Sequence, residues 1–163
     1  MNEKINASLR DSKVARWSAL LLLASTMFFA YMFIDVLAPL STMLEQNLKW
    51  TPDTFGSVAG SEYFLNVFVF FLIFAGIILD KMGVRFTAVL SALVMVAGAS
   101  IKLYGISDGF NNGGFGYDFL NSFWPAFPAS AKMASVGFAI FGSGVEMAGV
   151  TVSKGIVKWF KGK

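Results

Sequence analysis

Apolar residues fall into four runs, Trp17 to Leu40, Phe55 to Leu79, Phe86 to Tyr104 and Ala131 to Val157, and polar residues collect between them. A helix needs about 20 apolar residues to cross roughly 30 Å of hydrocarbon. The pattern therefore predicts an all-α integral membrane protein with four transmembrane helices, 17–40, 55–79, 86–104 and 131–157. Residues 1–16 form a polar N-terminal segment, and 17–163 form the membrane domain.

The bases orient these helices. Lys4, Arg10, Lys13 and Arg16 precede the first run, Lys81 and Arg85 follow the second, and Lys154, Lys158, Lys161 and Lys163 surround the end of the fourth. The opposite side holds only Lys49, Lys102 and Lys132. Excess Lys and Arg marks the cytoplasmic side, so both termini and the turn around Asp80 are expected there. The first run is too long for the apolar part of a signal peptide and lacks a small-x-small cleavage site after it.

Composition narrows the chemistry. Of 163 residues, 56% are hydrophobic and 14% charged, far from the balance of a soluble domain. The net charge of +3 comes from bases beside apolar runs, with no basic face carrying interleaved aromatics, so the expected partner is the lipid bilayer and not nucleic acid. Cysteine and histidine are both absent, which excludes disulfides, thiolate or imidazole metal sites and histidine proton relays. No phosphate-binding loop or dinucleotide glycine fingerprint occurs. An enzyme, a cofactor and a metal are not expected.

The outer connections differ. In 41–54, Thr51 or Asp53 is placed to cap the second helix around Pro52. The loop 105–130 is rich in Gly and Asn, carries no Lys or Arg, and holds Phe110, Phe115, Tyr117, Phe119, Phe123, Trp124 and Phe127. Its Gly and Pro content argues against a further span, and its aromatic rings suit the membrane interface.

Acids inside the apolar runs are the candidate chemistry, because a carboxylate in hydrocarbon needs water, a partner or a proton. Tyr31 and Asp35 stand one turn apart on the first helix. The second carries Gly56 and Gly60 in a close-packing arrangement, then Glu62 and Asn66 one turn apart. The fourth presents a continuous stripe, Ser135, Ala139, Gly142, Glu146, Gly149 and Ser153. Small residues explain a packing seam, but Glu146 in its middle does not fit that role. Lys154 and Lys158 are expected to snorkel to the inner interface. Tyr31, Asp35, Glu62, Asn66 and Glu146 are thus the candidates for a substrate or proton pathway, although sequence alone does not bring them together.

The run Gly76-Ile77-Ile78-Leu79-Asp80-Lys81-Met82-Gly83-Val84-Arg85 lies between the second and third helices. It resembles the signature of the major facilitator superfamily in that loop, commonly written G-x-L-x-D-[RK]-x-G-[RK]-[RK]. Gly76, Asp80, Lys81, Gly83 and Arg85 match; Ile78 is a conservative change, Leu79 fills a usually small position, and Val84 replaces a base. Tyr31-x-x-x-Asp35, Gly142-Ser143-Gly144-Val145-Glu146 and the closing Val157 to Lys163 are similar to the branch containing major facilitator domain-containing protein 1 and its prokaryotic relatives. That branch has an arginine where this chain has Phe138.

The resemblance implies a twelve-helix fold of two rocking halves, of which this chain corresponds to the first four helices as a truncated or partial form. It implies transport of a small solute, an organic anion or peptide among the candidates, in a prokaryotic plasma membrane. Gly76, Asp80, Lys81, Gly83 and Arg85 would bias the conformational equilibrium. Asp80 would meet a helix of the other half and so lack its partner here, to be supplied by the missing C-terminal helices or another copy of the chain. Two other readings stay open. One is a complete four-helix, proton-coupled homodimer similar to small multidrug exporters, and the other a non-transporting membrane subunit that docks a partner through the stripe.

Overall fold

Local signals start and stop the helices much as the residues require. The computed structural model describes residues 12–160; Lys4, Arg10, Lys161 and Lys163 lie outside the described residues. Ser12 accepts a hydrogen bond from the Ala15 N–H and opens α1 (Lys13–Asp35). Pro39 sits in a short 3₁₀ turn, Ala38–Leu40, that leads into α2 (Ser41–Leu48). Thr51 accepts from the Thr54 N–H and Pro52 occupies the first turn, so α3 (Pro52–Gly60) begins at the expected cap.

The predicted single helix over 55–79 is interrupted twice. A 3₁₀ turn, Ser61–Tyr63, separates α3 from α4 (Phe64–Phe68). The Ser61 hydroxyl donates to the Val58 carbonyl at 2.6 Å and to the Ser135 carbonyl at 3.2 Å. Gly-Ser pairs are common kink sites because the hydroxyl competes with the backbone ladder. The second break is at Phe70, whose φ of 54° is left-handed. It ends a run of β-branched and aromatic residues that are modest helix formers.

The next helix, α5 (Phe71–Ile106), bends back on itself at Gly83, where φ is 81° and ψ is 169°. Only glycine adopts that conformation readily. Then come α6 (Asp108–Asn111), α7 (Tyr117–Ser122) and the long α8 (Ala129–Phe160).

The molecule is organised around α8. Gly105 lies by Ala134, Gly98 by Gly137 and Phe141, and Gly144 by Met95, so 84–106 runs antiparallel to α8. On another side Ser61 meets Ser135 and Asp80 meets Lys154, so 52–82 runs parallel to it. Helix α1 is antiparallel, with Phe33 against Phe141 and Trp17 against Phe160. Val58, Met95, Phe138, Phe141 and Val145 form the core where these segments meet.

Among the described residues there is no strand, and three helices are long and apolar enough to cross a membrane: Lys13–Leu48, Phe71–Ile106 and Ala129–Phe160. Large side chains such as Leu21, Phe28, Phe68, Ile73 and Leu93 point outward. That apolar exterior is compatible with a multi-pass membrane protein.

The loop 105–130 is ordered by its own contacts. Phe110 is fully buried between Tyr104 and Tyr117, at centroid distances of 5.3 and 5.5 Å. The Lys132 ammonium donates to the carbonyls of Leu120 and Phe123, closing the C-terminal end of α7. Phe115, Phe119 and Trp124 face outward. Trp50 donates its indole N–H to the Ser130 hydroxyl at 2.9 Å, tying the first outer connection to the start of α8.

Candidate functional site

Gly142 positions the site. A Cβ there would overlap the backbone carbonyl of Glu62, so glycine lets the 3₁₀ turn lie directly on α8. Together with the Ser61–Ser135 hydrogen bond, this contact puts Glu62 in a cavity wall shared with residues of α1, α4 and α8. Glu62 is only 4% exposed, and its Oε2 has no hydrogen-bond partner among the described residues. The side-chain nitrogen and oxygen of Asn66, one turn on, are likewise buried without partners. Buried polar atoms in native proteins are rarely left so, and each calls for a reason.

The reason is open space. A cavity of about 350 Å³ lies between α1, α3 and α8, and Asp35, Glu62, Tyr63 and Phe138 are in its wall. A second, of about 100 Å³, is lined by Tyr31, Glu62, Asn66, Gly142 and Glu146. A wider groove of about 750 Å³ continues past Glu146 and Gly149 to Lys154. The three follow one another along α8. Glu62 borders the first two, and Glu146 borders the second and third.

All five candidate pathway residues therefore come to one region. Tyr31, Glu62, Asn66 and Glu146 share the small cavity, and Asp35 stands across the larger one from Glu62. The stripe on α8 faces this region. Gly56 and Gly60, in contrast, have nothing within 4 Å of an added Cβ, so their close-packing arrangement meets no described neighbour. No group of three acids among the described residues could hold a metal ion.

At the far end, Gly83 makes the turn that the glycine in the signature suggests. Asp80 has a partner within the chain, distinct from the helix of a second half that the resemblance implies: its Oδ1 accepts from the Lys154 ammonium of α8 at 2.5 Å. Lys154 reaches Asp80 because 52–82 and α8 run in the same direction and end side by side. Lys81 and Arg85 are exposed and form no ion pair among the described residues.

The sequence marks Lys102 only as an outer topology charge, yet it is 1% exposed. Its ammonium donates to the Phe33 carbonyl at 3.4 Å and lies 3.9 Å over the Phe138 ring and 4.7 Å over that of Phe33. Phe138 also lines the larger cavity, whereas Lys102 does not. Its position inside an apolar run was the only available signal. The charge-bearing contact depends on two aromatic residues far away in the chain. Comparison of the chain with family models, with curated proteins and with solved structures returns no match.

Proposed function

We propose that this chain moves a small solute across a membrane by alternating access, as part of a transporter of the major facilitator type. The observation that carries this reading is the succession of cavities along α8 with an acid at each junction, Glu62 and then Glu146. A buried carboxylate without a partner is costly in hydrocarbon and is a common mark of an ion, proton or substrate path. Interrupted helix beside a polar cavity is also a recurring feature of transporter binding sites.

In this reading there are four spans, because the bend at Gly83 divides α5 and its first arm joins α3 and α4 in the second crossing. Both termini and the Gly83 turn are cytoplasmic. Asp35 opens to the outer side, and Asp80–Lys154 is a contact made in one conformational state and released in another. In this reading the working unit extends beyond the described helices, and Gly56 and Gly76, with nothing within 4 Å of an added Cβ, are where a further helix would pack.

The test is uptake by the purified chain in proteoliposomes, with and without an imposed proton gradient. Glu62-dependent uptake that responds to Glu146→Gln supports the reading. Uptake indistinguishable from empty liposomes under every gradient refutes it for the chain alone.

A further inference from the structure

We infer that the larger cavity accepts the cationic head of a small organic ammonium compound, with Glu62 as its counter-charge; this inference rests on the transport reading of the same site. Two acids border the cavity, Asp35 towards its exposed end and Glu62 at its buried end, and no Lys or Arg lines it or its smaller neighbour. An anion would meet two carboxylates and no charged donor. Lys102 touches the wall residue Phe138, but its ammonium is held by the Phe33 carbonyl and by the rings of Phe33 and Phe138.

The rest of the wall has the complementary chemistry. Ile34, Phe55 and Val58 provide apolar surface for the body of such a compound. Tyr63 adds an aromatic ring to the wall, a group that attracts cations electrostatically. Glu62 Oε2, buried and unpartnered, is the acceptor that a bound ammonium satisfies. The volume of about 350 Å³ is at the small end of ligand pockets, which favours a compact amine. A bare metal cation is poorly matched by walls with so few oxygen ligands.

The experiment uses the purified full chain in detergent and in liposomes, with protonated benzylamine as probe and phenylacetate and alanyl-alanine as anionic and zwitterionic comparisons. Benzylammonium is expected to bind, with affinity falling at least about tenfold in Glu62→Gln and about threefold in Asp35→Asn, the more exposed and screened acid. Asp118→Asn, on exposed α7, leaves binding unchanged. Equal binding by wild type and Glu62→Gln overturns the inference, as does Glu62-dependent binding of phenylacetate or alanyl-alanine. Size-exclusion profiles report whether Glu62→Gln folds. If it does not, Asp35→Asn decides, and unchanged affinity there overturns the inference. Binding of the cation without transport of any solute keeps the inference and refutes the transport reading. Glu62-dependent uptake of phenylacetate or alanyl-alanine does the reverse.

Discussion

The two sides of α8 use the same small residues for opposite ends. Towards 84–106, Gly137 and Gly144 bring backbones into contact with Gly98, Lys102, Ser91 and Met95, leaving no room for even a methyl group. Towards α1 and 52–68, Gly142 seats one turn of backbone, and the space on either side of it stays open. Polar groups follow the same division. On the tight side Ser91 donates to the Ala88 carbonyl, and Lys102 reaches across to the Phe33 carbonyl of α1; on the open side Glu62 Oε2 and both polar atoms of the Asn66 side chain have no partner among the described residues. Lys102 and Glu62 are both buried charges, but Lys102 has a carbonyl and two rings about its ammonium, whereas one Glu62 oxygen has no partner among the described residues. A satisfied buried charge holds a fold together, and an unsatisfied one beside a cavity is available to something else.

The most severe way to break this contrast is Gly137→Leu, because a Cβ at that position already overlaps the Lys102 backbone and the Gly98 carbonyl. The helices cannot stay in contact, and the protein is expected to lose its monodisperse peak in detergent; the milder Gly137→Ala is expected to cost about 1–3 kcal/mol. Glu62→Gln tests the open side. Uptake should drop at least about tenfold while thermal stability in detergent holds or rises, since an amide needs no counter-charge. If this variant melts as early as a tight-side variant, Glu62 is structural and the contrast fails.

Lys102→Met sharpens the comparison from the other direction. It keeps most of the volume and removes a charge engaged with two rings and one carbonyl, and a loss of about 1–2 kcal/mol is expected in denaturant melts. Glu62-dependent cation binding should survive. The smallest effect belongs to Lys154→Ala, which breaks a pair whose side chains are 45% and 77% exposed. Its cost should be below about 1 kcal/mol and vanish in high salt, as seen in melting curves at two ionic strengths.

Much of this was legible in the residues. Apolar runs marked the helical segments, Thr51-Pro52 marked where α3 begins, and Gly83 after Asp80-Lys81 marked the reversal. The acids could be singled out because charge is scarce in apolar sequence. The breaks at Ser61–Tyr63 and Phe70 were not legible, since an apolar run reports burial and length but says little about backbone continuity. Nor was the second small-residue face of α8 recognised: Gly137 and Gly144 gain meaning only beside Gly98 and Met95. The pairing of Asp80 with Lys154 was not legible either, because no local pattern connects residues 74 apart.

Sequence by itself determined that the chain is helical and apolar outside, where it turns at Gly83, and which few side chains are costly to bury. These follow from local terms: transfer of each residue from water, backbone freedom at one glycine, and the spacing of a helix. Tertiary structure alone decided that Tyr31, Glu62, Asn66 and Glu146 share a cavity, that Lys102 is enclosed by Phe33 and Phe138, and that Asp80 has a partner. Those outcomes depend on which helix faces meet and in which direction they run, and that is set by shape complementarity among residues far apart in the chain.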